Sequence, residues 1–441
     1  MYRMLEDKLK IWKNQPDRKP LLLRGARQVG KSYTVEKFAK EHFASVALVN
    51  FEFDRRLIGC FETMDPEQII NKISLLTQQE ISIGQTLLFL DEIQECPNAI
   101  LALRYFKEKM PKLHVIGAGS LLEFTLNDPK FRMPVGRIQS LYLKPCSFQE
   151  FLMACGDQKL LDCLSQVTLQ SGVDRVIHEL LLEKLRLYFF VGGMPEAIAS
   201  YQKNKNLNLC RQVHASLLDT YRNDFGKYNR HVRSDYLQKL FDKAPGLVAQ
   251  HFKYVAIDSH AQSRDIKPAL AALIDAGLLY PIYHSSASGL PLNATLNEKK
   301  FKLLFLDIGL VKYASGLEVN IMLNDSLMLL NQGALAEQFV GQELLAYALP
   351  DERATLYYWE REKKGSGAEV DFILQTEGKL FPVEVKSGKT GRLKSLQLFL
   401  DEKKQNYGIQ ISQRQLSFHH RILSIPLYMI HELPRLINLI I

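Results

Sequence analysis

The 441-residue sequence lacks several features that would place it in a specialised class of protein. Its six cysteines include no Cys-x-x-Cys pair, and none lies in the C-terminal half of the chain. Neither a zinc site nor a disulfide framework is therefore supported. No apolar run reaches the roughly 18 residues of a membrane-spanning helix. Residues 1–9 mix charges with apolar residues at helical spacing and lack the apolar core of a signal peptide. We therefore predict a cytoplasmic protein without a membrane partner.

Composition indicates a large folded protein with a modest basic excess. With 46% hydrophobic residues, a chain of this length can bury several cores, and three domains are expected. The formal net charge is +8. This excess is mild for so long a chain, so it permits nucleic-acid binding without demanding it.

A phosphate-binding loop is the most specific motif in the sequence. Residues 25–32 fit the pattern G-x-x-x-x-G-K-S, with an apolar run before them and a helical pattern after them. In such a loop, backbone N–H groups approach phosphates at the positive end of a helix. The lysine reaches the outer phosphates and the serine hydroxyl binds Mg²⁺. The predicted nucleotide-binding residues are Gly25, Ala26, Arg27, Gln28, Val29, Gly30, Lys31 and Ser32.

A second segment supplies the acids that such a loop requires. Residues 87–90 form a run of four apolar residues that is followed by Asp91 and Glu92. Buried parallel strands deliver side chains to a site at their carboxyl ends in this way. We expect Asp91 to hold Mg²⁺, and Glu92 to orient or deprotonate the attacking water. A third apolar run, residues 113–119, ends in Ser120, which is placed to contact the outer phosphate or that water.

At this point the sequence resembles the AAA-plus ATPases. More narrowly, it resembles a prokaryotic family that joins a P-loop domain to a C-terminal domain of unknown function of the DUF4143 type, which is nuclease-like. The narrower resemblance is carried by residues 136–137, 143–151 and 192–197. It implies an α/β fold with an AAA-plus-like parallel sheet, ATP as substrate and Mg²⁺ as cofactor.

The resemblance also implies roles for single residues. Ser120 matches the sensor position, and Arg137 matches an arginine that completes a neighbouring subunit's site, which implies a homo-oligomer. Arg132 is a second candidate, and a plain surface arginine is an alternative for both. Many AAA-plus lids place an arginine after the Gly-Gly-x-Pro-like turn, whereas here Glu196 follows Pro195. This departure puts a lid arginine in doubt.

The middle of the chain has winged-helix character. Residues 236–241 and 247–252 predict short helices, and residues 263–277 predict a longer helix that Ser263 caps and Gly277 ends. Residues 278–283 and 301–306 then predict wing strands. A winged helix would present Arg264 and Lys267 to a DNA groove. The alternative is a purely structural connector.

A basic stretch precedes this segment. Positive residues cluster around Tyr221, Phe225 and Tyr228, where a positive face with aromatic contacts is one interpretation and a solvated linker is the other. The positive residues are Arg222, Lys227, Arg230, His231 and Arg233.

Near the C-terminus, two alternating strands over residues 369–374 and 380–386 predict a hairpin. Glu384 and Lys386 are two residues apart, so their side chains share one face of a strand, and Asp371 can join them from the neighbouring strand. These residues resemble the PD-(D/E)xK nucleases, in which carboxylates hold a metal ion and the lysine steers water. By that resemblance Glu337, from a predicted amphipathic helix over residues 333–345, is a further metal ligand. A basic rim to meet phosphates is predicted at Ser387, Lys389, Arg392 and Lys394.

Taken together, the motifs predict an ATPase domain with lid (1–204), a winged-helix-like domain (205–324) and a mixed α/β nuclease-like domain (325–441). The predicted function is ATP hydrolysis that couples nucleotide state to DNA binding or processing. The alternative is a nucleotide-gated binding or signalling protein with an inactive nuclease-like domain. A GTPase is a weaker third possibility, because no Asn-Lys-x-Asp segment is present for guanine recognition.

Overall fold

The computed structural model describes residues 1–133, 136–228, 232–316, 332–362, 367–388 and 393–441. Four of the predicted basic residues lie outside these ranges, and so does the predicted boundary at residue 324. The four residues are Arg230, His231, Lys389 and Arg392.

The N-terminal part is built on a five-stranded sheet in which every strand pair is parallel, with the order β2-β3-β4-β1-β5. The strand carrying the phosphate loop is therefore separated from the acidic strand by β4. The strands are β1 (Leu21–Arg24), β2 (Ser45–Asn50), β3 (Thr86–Asp91), β4 (His114–Ala118) and β5 (Gln139–Tyr142). This sheet confirms the predicted AAA-plus-like P-loop fold.

Helices cover both faces of this sheet, because its central strands are apolar on both sides. Alternate residues of β1 and β3 belong to two separate cores, one shared with α1 and α2 and the other with α3 and α4. The helices are α1 (Leu5–Asn14), α2 (Lys31–His42), α3 (Pro66–Thr77), α4 (Pro97–Lys109) and the short α5 (Leu122–Leu126).

Five helices follow the sheet. The first is started by a capping box, in which the Ser147 hydroxyl accepts from the Glu150 amide and the Glu150 carboxylate accepts from the Ser147 amide. The helices are α6 (Phe148–Cys155), α7 (Gln158–Ser165), α8 (Arg175–Val191), α9 (Pro195–Asn204) and α10 (Leu207–Asp224).

The middle part contains the predicted helices and hairpin, with two corrections. The elements are α11 (Ser234–Lys243), α12 (Tyr254–Ile257), α13 (Ser263–Asp275), β6 (Leu279–Ser285), β7 (Leu296–Phe305) and α14 (Ile308–Ala314). The predicted helix over 247–252 is wrong, because this segment pairs with the free edge of β7 through bridges to Leu303 and Lys302. The cap of α13 is Gln262 rather than Ser263, with Asp265 completing a capping box.

The C-terminal part has its own mixed sheet, in the order β10-β11-β12-β14-β13. A second sheet, in the order β7-β6-β8-β9, joins it to the middle part, since β6 pairs in parallel with β8. The elements are α15 (Gln332–Tyr347), β8 (Leu356–Glu360), β9 (Glu369–Val370), β10 (Phe372–Thr376), β11 (Lys379–Val385), α16 (Lys394–Glu402), β12 (Gly408–Ser412), β13 (Ser417–His419), β14 (Ile422–Pro426) and α17 (Leu433–Asn438). Across the described ranges, no helix is both long and apolar enough to cross a membrane.

The helix predicted to be amphipathic, α15, is instead buried on most of its faces. Its buried polar side chains bind backbone groups of other elements. Gln338 both accepts from the Phe305 N–H and donates to the Phe305 carbonyl, at 2.9 and 2.8 Å. Gln342 accepts from the Ile308 N–H at 2.8 Å. The polar positions therefore satisfy backbone groups in the interior rather than facing water.

Candidate functional site

The phosphate loop lies between β1 and α2, as the sequence predicts. Gly25 is required where the loop leaves β1, because a Cβ atom there would lie 2.2 Å from the Leu143 carbonyl oxygen that follows β5. At the other end, Gly30 adopts φ +92° and starts α2. The glycines therefore permit a close backbone approach and a left-handed turn, respectively.

Lys31 is folded back onto its own loop. Its ammonium donates to the carbonyl oxygens of Gly25 and Ala26, at 3.0 and 2.8 Å. Burial lowers the pKa of Lys31 to about 8, although the charges of Glu92 and Asp91 oppose this shift. Phosphates placed in the loop would replace the two carbonyls with a stronger, oppositely charged partner.

The predicted magnesium ligands are together. The Ser32 hydroxyl donates to both carboxylate oxygens of Asp91, each at 3.0 Å. Asn50, at the end of β2, donates to Asp91 at 3.2 Å. Burial raises the pKa of Asp91, and the neighbouring Glu92 raises it further. A hydroxyl beside a carboxylate is an oxygen donor set of the kind that Mg²⁺ prefers, so these residues fit that ion.

Glu92 follows directly in a left-handed conformation, with φ +50°. Its carboxylate accepts from Gln94 at 2.7 Å and from the Ser120 hydroxyl at 3.4 Å. Ser120 is therefore next to the candidate base, because β4 lies between β1 and β3. The general-base role of Glu92 and the sensor role of Ser120 remain predictions.

Two contacts that the sequence did not indicate tie the phosphate loop to other parts of the chain. Arg3 donates to the Val29 carbonyl at 2.7 Å and to Glu150 at 3.0 Å, and both charged side chains are 3% exposed. The second contact is made by Arg27 of the loop, which donates to both oxygens of Asp224 at the end of α10, at 2.6 and 2.8 Å. The loop is thus tied to helices that lie far from it in sequence.

A cavity of about 290 Å³ adjoins the loop where the three parts of the chain meet. Gly25 and Ser120 line it from the first part, Gly277 and Tyr280 from the middle part, and Arg353 from the last. A Cβ atom on Gly277 would lie 3.4 Å from the Ala26 backbone nitrogen. The end of α13 therefore packs directly on the phosphate loop.

The two arginines proposed for a neighbouring site lie away from this loop. Arg137 is half-exposed and pairs with Glu108 at 3.1 Å. It precedes the amino end of β5, so it lies at the opposite edge of the sheet from its own phosphate loop. Arg132 is exposed. A role in a neighbouring subunit's site remains a prediction for both.

The proposed aromatic surface of the basic stretch is not present. Tyr221, Phe225 and Tyr228 are buried in the core, so they cannot stack on bases. Arg222 pairs with Asp219 and Asp242, at 2.8 and 3.0 Å, and two other basic residues of the stretch are also paired with acids. These pairs are Lys227 with Glu52 and Arg233 with Asp235.

The two basic residues predicted on α13 have a different setting. Arg264 and Lys267 are exposed near the start of the helix. The acid next to Arg264 is Asp265, and their closest charged atoms are 3.8 Å apart. These two residues are therefore available to phosphates.

The C-terminal residues predicted to form a nuclease-like site lie close to the β10–β11 hairpin, where Asp371 and Glu384 are buried and Glu337 and Lys386 are half-buried. The ammonium of Lys386 lies 2.5 Å from Glu384, so the two side chains share a face as predicted. Asp371 accepts from the Val385 N–H at 2.7 Å. Burial raises the pKa of Glu384 to about 7 and that of Glu337 to about 8, and Asp371 adds to both shifts.

Within the described ranges, however, no three His, Cys, Asp or Glu side chains converge with the geometry of a metal site. A lysine that the sequence did not indicate, Lys302 of β7, enters the cluster and lies 3.2 Å from Glu337. As arranged, these residues do not fit a metal ion, and the metal assignment remains a prediction.

Comparisons with known proteins match three separate stretches of the chain. Residues 17–152 match the AAA domain family, residues 182–320 a domain of unknown function (DUF8612), and residues 332–430 a domain of unknown function (DUF4143). No curated protein matches the chain.

Solved structures give matches of low identity. A Walker-type ATPase of Pyrococcus abyssi is 14% identical, with 70% of this chain and 94% of that chain covered and a TM-score of 0.44. The ORC2 protein of Aeropyrum pernix, in ADPNP and ADP complexes, is 14% identical, with 71% and 94% covered and a TM-score of 0.32. The ORC1 protein of the same organism, in complex with DNA, is 12% identical, with 72% and 93% covered and a TM-score of 0.29.

Proposed function

Because this chain combines an AAA-type P-loop ATPase domain with a C-terminal DUF4143 domain, we propose that it hydrolyses ATP and uses its nucleotide state to control DNA binding by the middle part. The observation that carries the proposal is the direct packing of the phosphate loop against both α10 and α13. A change in the loop therefore reaches the segment that bears the exposed basic residues.

The chemistry follows from the site. Lys31 leaves the carbonyls of its own loop and binds the outer phosphates of ATP. Ser32 and Asp91 hold Mg²⁺, with Asn50 orienting the Asp91 carboxylate. The ion neutralises phosphate charge when it is bound. Glu92, held by Gln94 and Ser120, orients the attacking water and accepts its proton.

Coupling to the middle part runs through two contacts of the loop. Arg27 is paired with Asp224, and the Tyr221 hydroxyl donates to the Arg27 carbonyl at 3.0 Å. Gly277, at the end of α13, lies against Ala26. Phosphates in the loop compete with Asp224 for Arg27, because both are anions. Loss of this pair shifts α10 and α13, and with them Arg264 and Lys267.

Arg137 supplies a further part of the proposal. Its place at the opposite edge of the sheet suits an arginine that acts on the nucleotide of a neighbouring copy. ATP turnover then depends on assembly, and Arg137→Ala lowers turnover without lowering ATP affinity in the isolated chain.

The proposal is tested by comparing Lys31→Ala with Lys40→Ala, a substitution at an exposed lysine of α2. Removing the phosphate-binding ammonium is expected to lower the ATP turnover number at least about 100-fold, whereas Lys40→Ala keeps it. DNA affinity is measured in the apo, ATP-bound and ADP-bound states, with Arg264→Ala/Lys267→Ala as the variant that loses binding. Equal DNA affinity and equal oligomeric state in all three nucleotide states would contradict the coupling.

A second candidate function is a nucleotide-gated binding or signalling protein whose C-terminal domain does not cleave DNA. The pairing of its carboxylates with lysines favours this candidate. An assay with labelled duplex, single-stranded and branched DNA in Mg²⁺ or Mn²⁺ distinguishes this candidate from a nuclease. If the chain cleaves DNA and Glu384→Gln abolishes the cleavage, the domain is a nuclease.

A further inference from the structure

The acidic cluster of the C-terminal domain contains a lysine from a different part of the chain. Its acids come from α15, β9, the β9–β10 junction and β11, and they are Glu337, Glu369, Asp371 and Glu384. Lys302 belongs to the β6–β7 hairpin of the middle part. Its side chain is 2% exposed, although a lysine is rarely buried unless it is paired.

Lys302 is bound on several sides. Its ammonium lies 3.2 Å from a Glu337 oxygen and also pairs with Glu369. The same ammonium lies 5.4 Å from the centre of the Tyr358 ring. Glu369 in turn lies 2.6 Å from the imidazole of His251. The ammonium is therefore held by two carboxylates and an aromatic face, as a bound cation would be.

The strand that carries Lys302 is itself fixed. β7 pairs with β6, with Lys302 opposite Ile282, and its other edge pairs with His251. β6 is joined to β8 of the C-terminal domain, so one continuous sheet positions the lysine. The backbone of Lys302 is therefore fixed, and the ammonium leaves the cluster only if its side chain rotates, the hairpin moves or the residue is replaced.

The cluster retains an acceptor that no protein group satisfies among the described residues. Glu384 is 5% exposed. One of its oxygens binds Lys386, but the other is buried without a hydrogen-bond partner in the part of the chain that the structure describes. A buried carboxylate oxygen without a partner is costly, and a cation is its natural complement. In the described arrangement, the positive charge beside Glu337 and Glu369 is supplied by a lysine of the chain itself.

We propose that Lys302 is a built-in cation that closes the C-terminal carboxylate cluster to divalent metal, and that its withdrawal opens a Mg²⁺ or Mn²⁺ site formed by Glu337, Asp371 and Glu384. The ammonium excludes a metal ion by occupying space beside Glu337 and by repelling a second positive charge. This inference rests on the nuclease-like assignment of the domain proposed above, but not on ATP hydrolysis or DNA binding.

Binding of Mn²⁺ to the nucleotide-free chain, followed by electron paramagnetic resonance, tests the proposal. All variants carry Asp91→Asn, so that the nucleotide site loses the carboxylate that would hold a metal ion beside Ser32. Lys302→Met is expected to bind one Mn²⁺ at least about tenfold more tightly than the chain with Lys302 intact. Lys302→Arg is the matched control, because it keeps the charge and should not gain affinity.

Adding Glu384→Gln to Lys302→Met assigns the site, since the gained affinity should be lost. Equal Mn²⁺ affinity for the Lys302→Met variant and for the chain with Lys302 intact would overturn the proposal. So would a gain in affinity that survives Glu384→Gln.

Thermal melting covers the case in which Lys302→Met folds poorly. The acids lose their counterion in this variant, so its melting temperature should fall and Mn²⁺ should restore it. A variant that Mn²⁺ fails to restore contradicts the proposal. Because no DNA or nucleotide is present, failure of the proposed DNA coupling leaves these results unchanged.

Discussion

At the scale of single residues, the nucleotide site depends on partners that have no motif. Asn50 orients Asp91, Gln94 holds Glu92, and Arg3 anchors the Val29 carbonyl. The sequence could have indicated Asn50, because it is a polar residue at the end of a strand that neighbours the acidic strand. No local pattern could have indicated Arg3, because the partners of its side chain lie more than twenty residues away in the sequence.

The buried pair of Arg3 and Glu150 leads to a prediction about stability. Arg3→Met removes the guanidinium and leaves the Glu150 carboxylate buried with fewer partners. We expect the free energy of unfolding of the ATPase domain to fall by about 3–5 kcal/mol. Urea titration followed by circular dichroism measures the change.

The matched control for Arg3→Met is Lys8→Met, because Lys8 is exposed on α1. The control should unfold at the same urea concentration as the wild type. The argument for a buried anchor fails if Arg3→Met also unfolds there.

At the scale of elements, the turn between α8 and α9 allows close packing of the backbone against other parts of the chain. Gly192 has φ +70°, and a Cβ atom on Gly193 would lie 2.2 Å from the Cys146 carbonyl oxygen. The Gly193 N–H also donates to Asp307 at 2.6 Å. The two glycines therefore let the backbone approach both the first part of the chain and the start of α14.

Gly193→Ala is expected to destabilise the chain because the new methyl group meets backbone, which cannot yield as a flexible side chain does. The expected cost is about 2 kcal/mol or more. Differential scanning fluorimetry against Gly59→Ala measures it, since a Cβ atom on Gly59 meets nothing within 4 Å. Equal melting temperatures for the two variants would show that the Gly193 contact yields easily.

At the scale of the whole molecule, α15 joins the first and last parts of the chain. Glu343 accepts from the Phe148 N–H at 3.0 and 3.2 Å, and from the Tyr347 hydroxyl at 2.8 Å. Burial raises the pKa of Glu343 from 4.5 to about 8. The fold therefore favours the neutral carboxyl group.

This shift predicts how stability depends on pH. The pKa of Glu343 is higher in the folded chain than in the unfolded chain, so its neutral carboxyl group stabilises the fold fully below pH 4.5. This contribution to the free energy of unfolding is lost as the pH rises through about 8. Glu343→Gln cannot ionise and keeps an acceptor for Phe148. We therefore expect the melting temperature of the variant to exceed that of the wild type by an amount that grows from pH 5 to pH 8.

Thermal melting at several pH values, with the exposed-site substitution Glu352→Gln as control, measures this difference. The control should follow the wild type at every pH. A constant offset between Glu343→Gln and the wild type would mean that Glu343 does not titrate in this window.

The sequence by itself determined the elements whose cause is local. The phosphate loop, the acidic strand, the β6–β7 hairpin and the β10–β11 hairpin each follow from glycine positions and apolar periodicity within short stretches of the chain. The parallel sheet and its α/β class were implied by the resemblance to the AAA-plus ATPases.

Tertiary structure decided which groups pair with the buried charges, and which conformation is adopted by segments whose local pattern is ambiguous. Residues 247–252 have a helical pattern, but the free edge of β7 offers backbone hydrogen bonds that outweigh it. The α15 helix has polar positions that resemble a solvent-facing side, yet they bind distant backbone groups. The sequence around Lys302 is that of an ordinary strand lysine, and only the folding of β7 against the C-terminal domain places it beside the carboxylates of Glu337 and Glu369. Such pairings depend on contacts between segments far apart in the chain, which no local pattern specifies.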